Sequence, residues 1–425
     1  MSVFSFIHCA DLHLDSPLRG LSGLTETQVH ELRSATRKAL NNLVDLALLE
    51  KVNFVLIAGD VYDGDWDDYS TGLFFNRCML QLRDAGIRVF LIRGNHDAQS
   101  QISRSLILPE NVKELRTDKP ESVILDDLQV AIHGQGFAQR AVTDNLAMHY
   151  PAPVPGYFNI GMLHTCAEGQ EGHEPYAPCK VAELVHMGYQ YWALGHIHKR
   201  QVLHSHPPVV FPGNIQGRHI REEGDKGCTL VKVDGTDVAL EHRSLDVVRW
   251  CQCEVNLAGV SNSDEFLAAV QAELGQVAER YPSHQLAVRV VCKGMTPLHG
   301  AFVENTEYYR SEVLNGAQAV AYDRLWIEKV KFDTQPPATR PVGSHGAMKL
   351  ESVIEDVMTD VRNHEDAQNL LNTFLRDMQH IQTNLRDYLQ TPDAVKVDSE
   401  QDVEGLLKDA RSLLVNILAN GGLTA

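Results

Sequence analysis

The sequence predicts an α/β protein, in which a sandwich of strands and helices is followed by a small α/β module and a helical region. Three observations support this prediction. In the first half of the chain, short apolar runs alternate with stretches in which apolar residues recur at helical spacing. A second set of strand and helix patterns begins near residue 248. A segment with three prolines, residues 335–341, then separates this set from an acidic C-terminal region.

The first predicted domain comprises residues 1–245. The patterns in its first part predict a strand at 4–8, a helix after residue 25, a strand at 54–58, a helix at 72–85 and a strand at 88–92. Thr25 and Gln28 have the spacing of a capping box at the start of the first helix. Later strands, which look antiparallel, are predicted at 158–163, 189–194, 209–211, 229–233 and 238–242. This order of elements is typical of an α/β sandwich.

Three further regions follow the sandwich. Residues 246–334 are predicted to form an α/β cap module with a strand at 250–256, a helix at 263–280, a strand at 286–291, a helical patch at 304–314 and a strand at 325–332. Residues 335–345 form a linker, because proline disfavours helix and strand alike. Residues 346–425 are predicted to be helical, with apolar stripes starting at Leu350, Leu370 and Val403. The stripes fit either a self-contained helical bundle or a region that docks a partner.

Composition narrows the classes of protein. Hydrophobic residues make up 44% and charged residues 22%, which is the balance of a globular chain and excludes wholesale disorder. We expect no signal peptide, because residues 1–10 have no basic segment ahead of an apolar stretch, and no membrane span, because no apolar run approaches ~20 residues. The eight cysteines form no CxxC pair, so reduced thiols in the cytoplasm are expected. A net charge of −18 argues against a basic nucleic-acid binder, unless bound metal ions or a partner subunit supply positive charge.

Five polar clusters each follow a predicted strand. They are Asp11-Leu12-His13, Gly59-Asp60-Val61-Tyr62-Asp63, Gly94-Asn95-His96-Asp97, Leu163-His164-Thr165 and Gly195-His196-Ile197-His198. Because side chains at the carboxyl ends of strands project from one rim of a sheet, we expect these clusters to converge. They offer oxygen and nitrogen donors without a thiolate, which suits two ions such as manganese or iron better than a structural zinc.

The spacing within the clusters indicates how two ions would be shared. Residues i and i+2 of an extended loop point the same way, so Asp11 and His13 can share one ion. His196 and His198 can each serve a different ion. Asp60 lies on a turn after glycine, where one carboxylate can bridge two ions ~3.5–4 Å apart. Such a pair activates a water and neutralises the charge that develops on a phosphate.

His96 differs from the other histidines because it follows Asn95 directly, next to Gly94, which lets the backbone approach the ions. An imidazole that is not a ligand can protonate a leaving alkoxide as general acid. A lone DxH or HxH carries little information in a chain with twenty histidines. All five clusters in this order, each closing a strand, make a strong signal for a catalytic metal site.

The order D-x-H, G-D-x-x-D, G-N-H-D, a strand-end histidine and G-H-x-H resembles the calcineurin-like metallophosphoesterases. Within that superfamily, the following stretches are similar to the SbcD/YhaO-type DNA repair exonucleases: FIHCADLHLDSPLRGL, LIAGDVYDGD, LIRGNHDA, GMLHTCAEGQEGHEPYAPC and YWALGHIHKRQ. The resemblance extends from residue 4 to about residue 221 and fades in the cap module. It implies the calcineurin-like α-β-β-α sandwich and a metal-dependent exonuclease or endonuclease that hydrolyses phosphodiester bonds.

The resemblance also implies a role for each site residue. The ligands it implies are Asp11, His13 and His198 for one ion, Asn95, His164 and His196 for the other, and Asp60 for both. Two Mn²⁺ ions are the first expectation, with Fe²⁺, Mg²⁺ or Zn²⁺ as alternatives. His96 is the implied catalytic acid, and Asp63 would hold its imidazolium and raise its pKa. At the position of Asp63, archaeal and eukaryotic nucleases of this group tend to carry histidine, so their polarity and end preference do not transfer directly.

The implied partners are DNA and an SbcC-like coiled-coil ATPase subunit, which would share the binding of DNA and so relieve the conflict with the charge of −18. A homodimer is a further assembly to consider, and no membrane partner is expected. The alternative enzyme is a phosphodiesterase or phosphatase acting on cyclic nucleotides, phosphoproteins or nucleotide sugars, which the acidity favours. A third alternative is a catalytically silent scaffold, whose mark would be lost ligands; none of the expected ligands is missing.

Some other polar residues are weaker candidates. Arg218, His219 and Arg221 form a basic patch that is a candidate contact for phosphate. His204 and His206 also have HxH spacing, but proline follows them, and we interpret them as solvated residues of a loop rather than a third metal site.

Overall fold

The computed structural model describes residues 3–16, 25–63, 69–99, 107–167 and 176–337, together with Thr373. Within these ranges, residues up to 251 and residues 281–288 form one compact unit, and residues 252–280 and 289–337 form a second. The helical region expected at 346–425 lies outside the described residues apart from Thr373, as does most of the linker. The domain boundaries at residues 245 and 334 stay predictions.

The first unit contains two six-stranded sheets. The first sheet has the spatial order β12 (Asp237–Ser244), β11 (Gly227–Asp234), β1 (Val3–Cys9), β2 (Phe54–Ala58), β3 (Arg88–Ile92) and β4 (Val112–Glu114). Strands β1 to β4 are parallel, because helix α1 (Glu26–Glu50) and helix α2 (Ser70–Asp84) return the chain between them. Strand β11 pairs antiparallel with both β1 and β12. The four parallel strands therefore end at the same edge of the sheet.

The second sheet has the order β5 (Glu121–Leu125), β6 (Val130–Gly134), β7 (Phe158–His164), β8 (Tyr191–Gly195), β10 (Pro208–Phe211) and β9 (Gln201–Ser205). Its four inner strands are parallel, and only β5 and β9 at the edges run antiparallel to their neighbours. The prediction of antiparallel strands is confirmed for β11 and β12, but it is wrong for β7 and β8, and β10 is antiparallel only to β9. The inner strands run parallel because the connections between them, which include helix α4 (Val181–His186), return the chain to the edge of the sheet at which the preceding strand began.

The two sheets and their helices make four layers. In β1, Phe6 faces the core between the two sheets, and its neighbour Ile7 faces the core beneath α1 and α2. Strand β2 repeats this alternation with Leu56 and Val55. The outer face of the second sheet buries Trp192 among residues that include those of α4. The α-β-β-α sandwich predicted from the sequence is confirmed.

Helix α1 shows how local sequence sets an element's start. The backbone N–H of Gln28 donates to the Thr25 side chain at 3.3 Å, and the backbone N–H of Thr25 donates to the Gln28 side chain at 3.0 Å. These two bonds are the predicted capping box, which satisfies donors that a helix N-terminus leaves unpaired. The helix ends where Lys51 adopts a left-handed backbone conformation, with φ 51°.

The smaller sheet contains, in order, β13 (Val248–Asn256), β14 (Gln285–Met295) and β15 (Leu325–Gln335). The helices of the second unit are α5 (Ser263–Arg280), α6 (His299–Glu304) and α7 (Thr306–Ala321). Phe266, Phe302 and Tyr309 pack together there, with the rings of Phe302 and Tyr309 4.7 Å apart. Among the described residues, no helix is long and apolar enough to cross a membrane.

Candidate metal centre

The sandwich brings the five polar clusters to one rim. Asp11 and His13 follow β1, Asp60 follows β2, and Asn95 and His96 begin α3 (Asn95–Gln99) directly after β3. From the second sheet, His164 is the last residue of β7, and His196 and His198 follow β8. Both sheets therefore supply side chains to the same place, because each presents the carboxyl ends of its parallel strands there.

Main-chain hydrogen bonds hold the loops of this rim in register. The backbone N–H of Asp11 donates to the carbonyl of Gly59 at 3.0 Å, and that of His13 donates to the carbonyl of Asp60 at 3.1 Å. Asp11, His13 and Asp60 have φ values of 52°, 42° and 53°, a left-handed conformation that costs a non-glycine residue on the order of 1–3 kcal/mol. Strain of this kind is tolerated where the surrounding structure fixes a functional side chain.

Gly94 is required by the close approach of Asp60. A Cβ atom on Gly94 would lie 2.1 Å from the Oδ1 atom of Asp60, a distance that no relaxed structure allows. At the Asp60 loop, Gly59 has a φ of 99°, and a Cβ there would lie 2.4 Å from Nδ1 of His164. Both glycines let backbone pass where a side chain would displace the site.

The side chains form three overlapping groups. Within each group, the candidate ligand atoms all lie within 4.8 Å of one another. The groups are Asp11, His13 and His198; Asp60, His164 and His196; and His13, Asp60 and His96. The first group is one predicted ligand set. The second contains two of the three ligands predicted for the other ion, and Asn95 joins it, since its Oδ1 lies 3.0 Å from Nε2 of His164. Asp60 belongs to two groups and lies between the two sets.

The donor atoms fit divalent cations. Nε2 of His13 and Nε2 of His198 face each other at 3.1 Å, and Nδ1 of His13 is buried without a hydrogen-bond partner. Buried imidazole nitrogens that face one another and a carboxylate make the coordination set that transition-metal ions prefer. Burial raises the pKa of Asp60, but the charge and hydrogen bond of His164 outweigh burial and hold the pKa well below its usual range. Asp60 is therefore an anion at the centre of the site.

His96 is the most accessible histidine of the three groups. Its side chain is 34% exposed, whereas that of Asp60 is 2% exposed. Its Nδ1 lies 2.7 Å from Oδ1 of Asp63, so the second ring nitrogen, Nε2, is the one left for another partner. Burial lowers the pKa of His96, but the hydrogen bond to Asp63 and the charge of Asp60 outweigh burial and raise it. Asp63 thus lies against the ring of the candidate acid, as the resemblance implies.

The final aspartate of the GNHD cluster has a structural function. Asp97 accepts hydrogen bonds from the backbone N–H groups of Tyr62 and Gly94, each at 3.0 Å. It therefore ties the loop after β2 to the loop after β3, and so fixes the distance between Asp60 and His96.

Two interpretations of the weaker candidates need correction. Arg218 does not form an outward basic patch with Arg221, because its side chain is only 14% exposed and pairs with Glu222 and Asp63. His204 does not lie in a loop but in strand β9, where its Nδ1 contacts the carbonyl of Pro207 at 2.9 Å. Neither belongs to the three candidate metal groups among the described residues.

The sequence patterns missed several residues that support the site. Glu222 contacts His198, the amine of Lys226 donates to the main-chain carbonyl of His198 at 3.0 Å, and Ser16 donates to Asp63 at 2.5 Å. None belongs to a motif with its partner; Glu222 and Ser16 lie 24 and 47 residues away from theirs. Only the fold reveals these pairs.

Comparison with known proteins agrees with the class that this fold and site define, the metallophosphoesterases. The calcineurin-like phosphoesterase family matches residues 4–200, and the family described as the middle domain of metallophosphoesterase YhaO matches residues 250–335. The uncharacterized metallophosphoesterase YhaO of Bacillus subtilis is 38% identical over 297 residues, which cover 69% of this chain and 72% of that protein. The chain belongs to the YhaO family of calcineurin-like metallophosphoesterases, which confirms the resemblance seen in its motifs.

More distant relatives are archaeal proteins described as DNA double-strand break repair protein Mre11. The one from Sulfurisphaera tokodaii is 22% identical over 267 residues, covering 58% of this chain and 64% of that protein. The one from Methanocaldococcus jannaschii is 21% identical over 283 residues, covering 63% and 73%. The family makes this chain a phosphoester hydrolase whose His/Asp groups suit divalent metal ions.

Proposed function

We propose that this chain is a two-metal DNA nuclease, an exonuclease or endonuclease that hydrolyses phosphodiester bonds. The observation that carries the proposal is the position of Asp60, whose carboxylate belongs both to the group with His164 and His196 and to the group with His13 and His96. A carboxylate shared between two sets of ligands suits a pair of divalent ions and an anionic diester.

The geometry of the side chains supports the roles that the resemblance implies. Asp11, His13 and His198 would hold one ion, Asn95, His164 and His196 the other, and Asp60 both. When bound, two such ions polarise the phosphate and supply an activated water. The backbone N–H of His96 donates to Oδ1 of Asp60 at 3.0 Å, which fixes the start of α3 beside the site.

His96 would act as the general acid. Asp63 accepts from Nδ1 of its ring and so orients the ring with Nε2 free to carry a proton to the leaving oxygen. The raised pKa of His96 favours the protonated form that this role requires. Its partial exposure lets it meet a substrate that the buried Asp60 cannot touch directly.

The choice of DNA rests on similarity to proteins described as acting in DNA double-strand break repair. The net charge of −18 requires positive charge from elsewhere, and we propose that an SbcC-like coiled-coil ATPase supplies part of the DNA surface in the cytoplasm. Manganese is the proposed ion, because the ligands are imidazoles and carboxylates without a thiolate.

A substrate panel tests the proposal. Purified protein is incubated with Mn²⁺ and end-labelled DNA, and in parallel with bis-p-nitrophenyl phosphate and cyclic nucleotides. We expect metal-dependent degradation of DNA, and the pattern of labelled products distinguishes exonuclease from endonuclease action. Hydrolysis of the small diesters with no loss of DNA would overturn the assignment of DNA as substrate.

The second candidate function is a phosphodiesterase or phosphatase that acts on small nucleotides or phosphoproteins. The acidity of the chain favours it, since such substrates need no basic groove. This function uses the same ligands and the same acid as the nuclease, so the two functions differ only in their substrates. The substrate panel therefore separates them.

A further inference from the structure

The ring of His198 is held on the side away from the metal groups. Its Nδ1 lies 2.7 Å from Oε1 of Glu222, and its Nε2 faces Nε2 of His13 at 3.1 Å. Glu222 is buried, with 7% of its surface exposed. One ring nitrogen of His198 therefore points to a buried carboxylate, and the other points to the candidate ion.

Glu222 is itself fixed by donors on both oxygens. Its Oε2 accepts from the side chain of Asn214 at 2.9 Å and from the backbone N–H of Arg218 at 2.9 Å. Its Oε1 accepts from Nη2 of Arg218 at 3.0 Å. Both oxygens of Glu222 therefore accept hydrogen bonds, and one of the donors is the charged guanidinium of Arg218, so the side chain is a carboxylate, which only accepts hydrogen bonds.

An accepting carboxylate determines which nitrogen of His198 carries the proton. Nδ1 of His198 lies 2.7 Å from Oε1 of Glu222 and 3.2 Å from Nη2 of Arg218. Because a carboxylate cannot donate, the shorter contact requires the proton on Nδ1 of His198. In the neutral ring, Nε2 then bears the lone pair that a metal ion requires. A carboxylate behind a ligating histidine also makes that histidine a stronger ligand.

Arg218 connects this carboxylate to the acid side of the site. Its Nη1 lies 3.3 Å from Oδ2 of Asp63, while its Nη2 bonds Glu222. Asp63 in turn contacts His96. The guanidinium of Arg218 therefore contacts both Glu222, which holds the candidate ligand His198, and Asp63, which holds the candidate acid.

We propose that Glu222 is a positioning residue that fixes His198 with Nε2 as its metal-binding atom, and that Arg218 locks Glu222 and Asp63 in their relative places. This inference rests on the proposed function, because it takes His198 to be a ligand. Neither residue touches substrate; both act through the groups they hold.

Binding of Mn²⁺ to the metal-free protein, measured by calorimetry, tests the inference without reference to activity. The Glu222→Gln variant removes the charge and places an amide donor near the donors of Arg218. We expect it to weaken the binding of one Mn²⁺ by about 10–100-fold, the effect of losing such a partner, and to leave the other ion near its wild-type affinity. The matched control is Glu223→Gln, the same change at the adjacent exposed residue, which should bind both ions as wild type does.

Two further variants keep the test decisive if Glu222→Gln fails to fold by circular dichroism. Glu222→Asp keeps the charge, so it should bind more tightly than Glu222→Gln and less tightly than wild type. Arg218→Lys keeps a cation but loses the fork that spans both carboxylates, and should weaken one Mn²⁺ as well.

The outcomes separate this inference from the function on which it rests. If a folded Glu222→Gln binds both ions with wild-type affinity, the positioning role alone is overturned. If Glu222→Gln does not fold, wild-type affinity for both ions in Glu222→Asp and in Arg218→Lys overturns that role instead. Absence of Mn²⁺ binding by the wild-type protein would overturn the proposed two-metal function, and this inference with it.

Discussion

At the scale of single residues, the site depends on contacts that sequence motifs reveal only in part. The DxH, GNHD and GHxH clusters were recognisable because their members are adjacent in sequence and follow strands. Glu222 and Arg218 were not assigned these contacts, because a carboxylate behind a histidine has no local pattern and becomes visible only once the chain has folded. Motifs therefore predicted which residues would lie together, but not the residues that orient them.

Substitution of Gly94 tests the closeness of the backbone to Asp60. Gly94→Ala would place a Cβ 2.1 Å from the Asp60 carboxylate, so the carboxylate must move away from the other ligands. We expect turnover of a small diester to fall by at least about 10²-fold, the usual cost of a displacement near 1 Å. Gly275→Ala is the control, because a Cβ there meets nothing within 4 Å, and its turnover should match wild type. Wild-type turnover in Gly94→Ala would show that catalysis does not need the close approach of the backbone at residue 94 to Asp60.

At the scale of elements, sequence periodicity gave accurate bounds where strands are buried and helices amphipathic. The strands at 54–58 and 88–92 and the helix at 263–280 have the predicted limits. Strands β4, β5 and β9 were not predicted, because they are short and partly exposed and lack a continuous apolar run. Strand direction was also missed, since it depends on connections rather than on the residues of a strand.

His8 links the two sheets just before the rim. It lies in β1, its Nε2 contacts the carbonyl of Leu194 in β8 at 3.1 Å, and its Nδ1 contacts the hydroxyl of Tyr191 at 2.9 Å. Because a carbonyl only accepts, Nε2 carries the proton, and Nδ1 accepts from the hydroxyl. This pair of bonds aligns the ends of β1 and β8, from which Asp11 and His196 follow.

The burial of His8 predicts a pH dependence of stability. Burial lowers its pKa from 6.5 to about 3, although the hydrogen bond to Leu194 opposes the change. Between these values the unfolded chain binds a proton that the folded protein does not. The His8 contribution is therefore full above pH 6.5 and declines as the pH falls, by up to about 1.4 kcal/mol per pH unit.

Urea unfolding at several pH values measures this contribution. The free energy of unfolding of His8→Phe should fall less steeply between pH 6.5 and pH 4 than that of wild type. Tyr191→Phe keeps the histidine and should retain the wild-type slope, even if it is less stable overall. Equal slopes for His8→Phe and wild type would contradict a neutral, buried His8.

At the scale of the whole molecule, the negative charge is the property that the catalytic site does not explain. A protein with 56 acidic and 38 basic residues repels a DNA duplex unless ions or another subunit intervene. The sequence predicts three amphipathic stripes beyond the proline-rich linker, and acidic residues on such helices would also repel phosphate. We therefore propose that this region recognises a protein partner by burying an apolar stripe against a coiled coil.

Truncation after residue 342 tests this assignment. We expect the truncated protein to hydrolyse small diesters at the wild-type rate, because every described site residue precedes the cut. It should lose binding to an SbcC-like ATPase in a pull-down that captures the full-length chain. Capture of the truncated protein at full affinity would contradict the docking role and favour a stabilising bundle.

The most direct test of the central claim compares metal content and turnover in two variants prepared alike. Asp60→Asn should lose or scramble the metal pair, because an amide cannot supply the charge between the two ligand sets. His96→Ala should keep two ions per chain and lose about 10²–10⁴-fold in turnover, the usual contribution of general acid catalysis. If His96→Ala instead loses its metal in parallel with its activity, His96 is a ligand, as its group with His13 and Asp60 would allow, and the proposed mechanism is wrong.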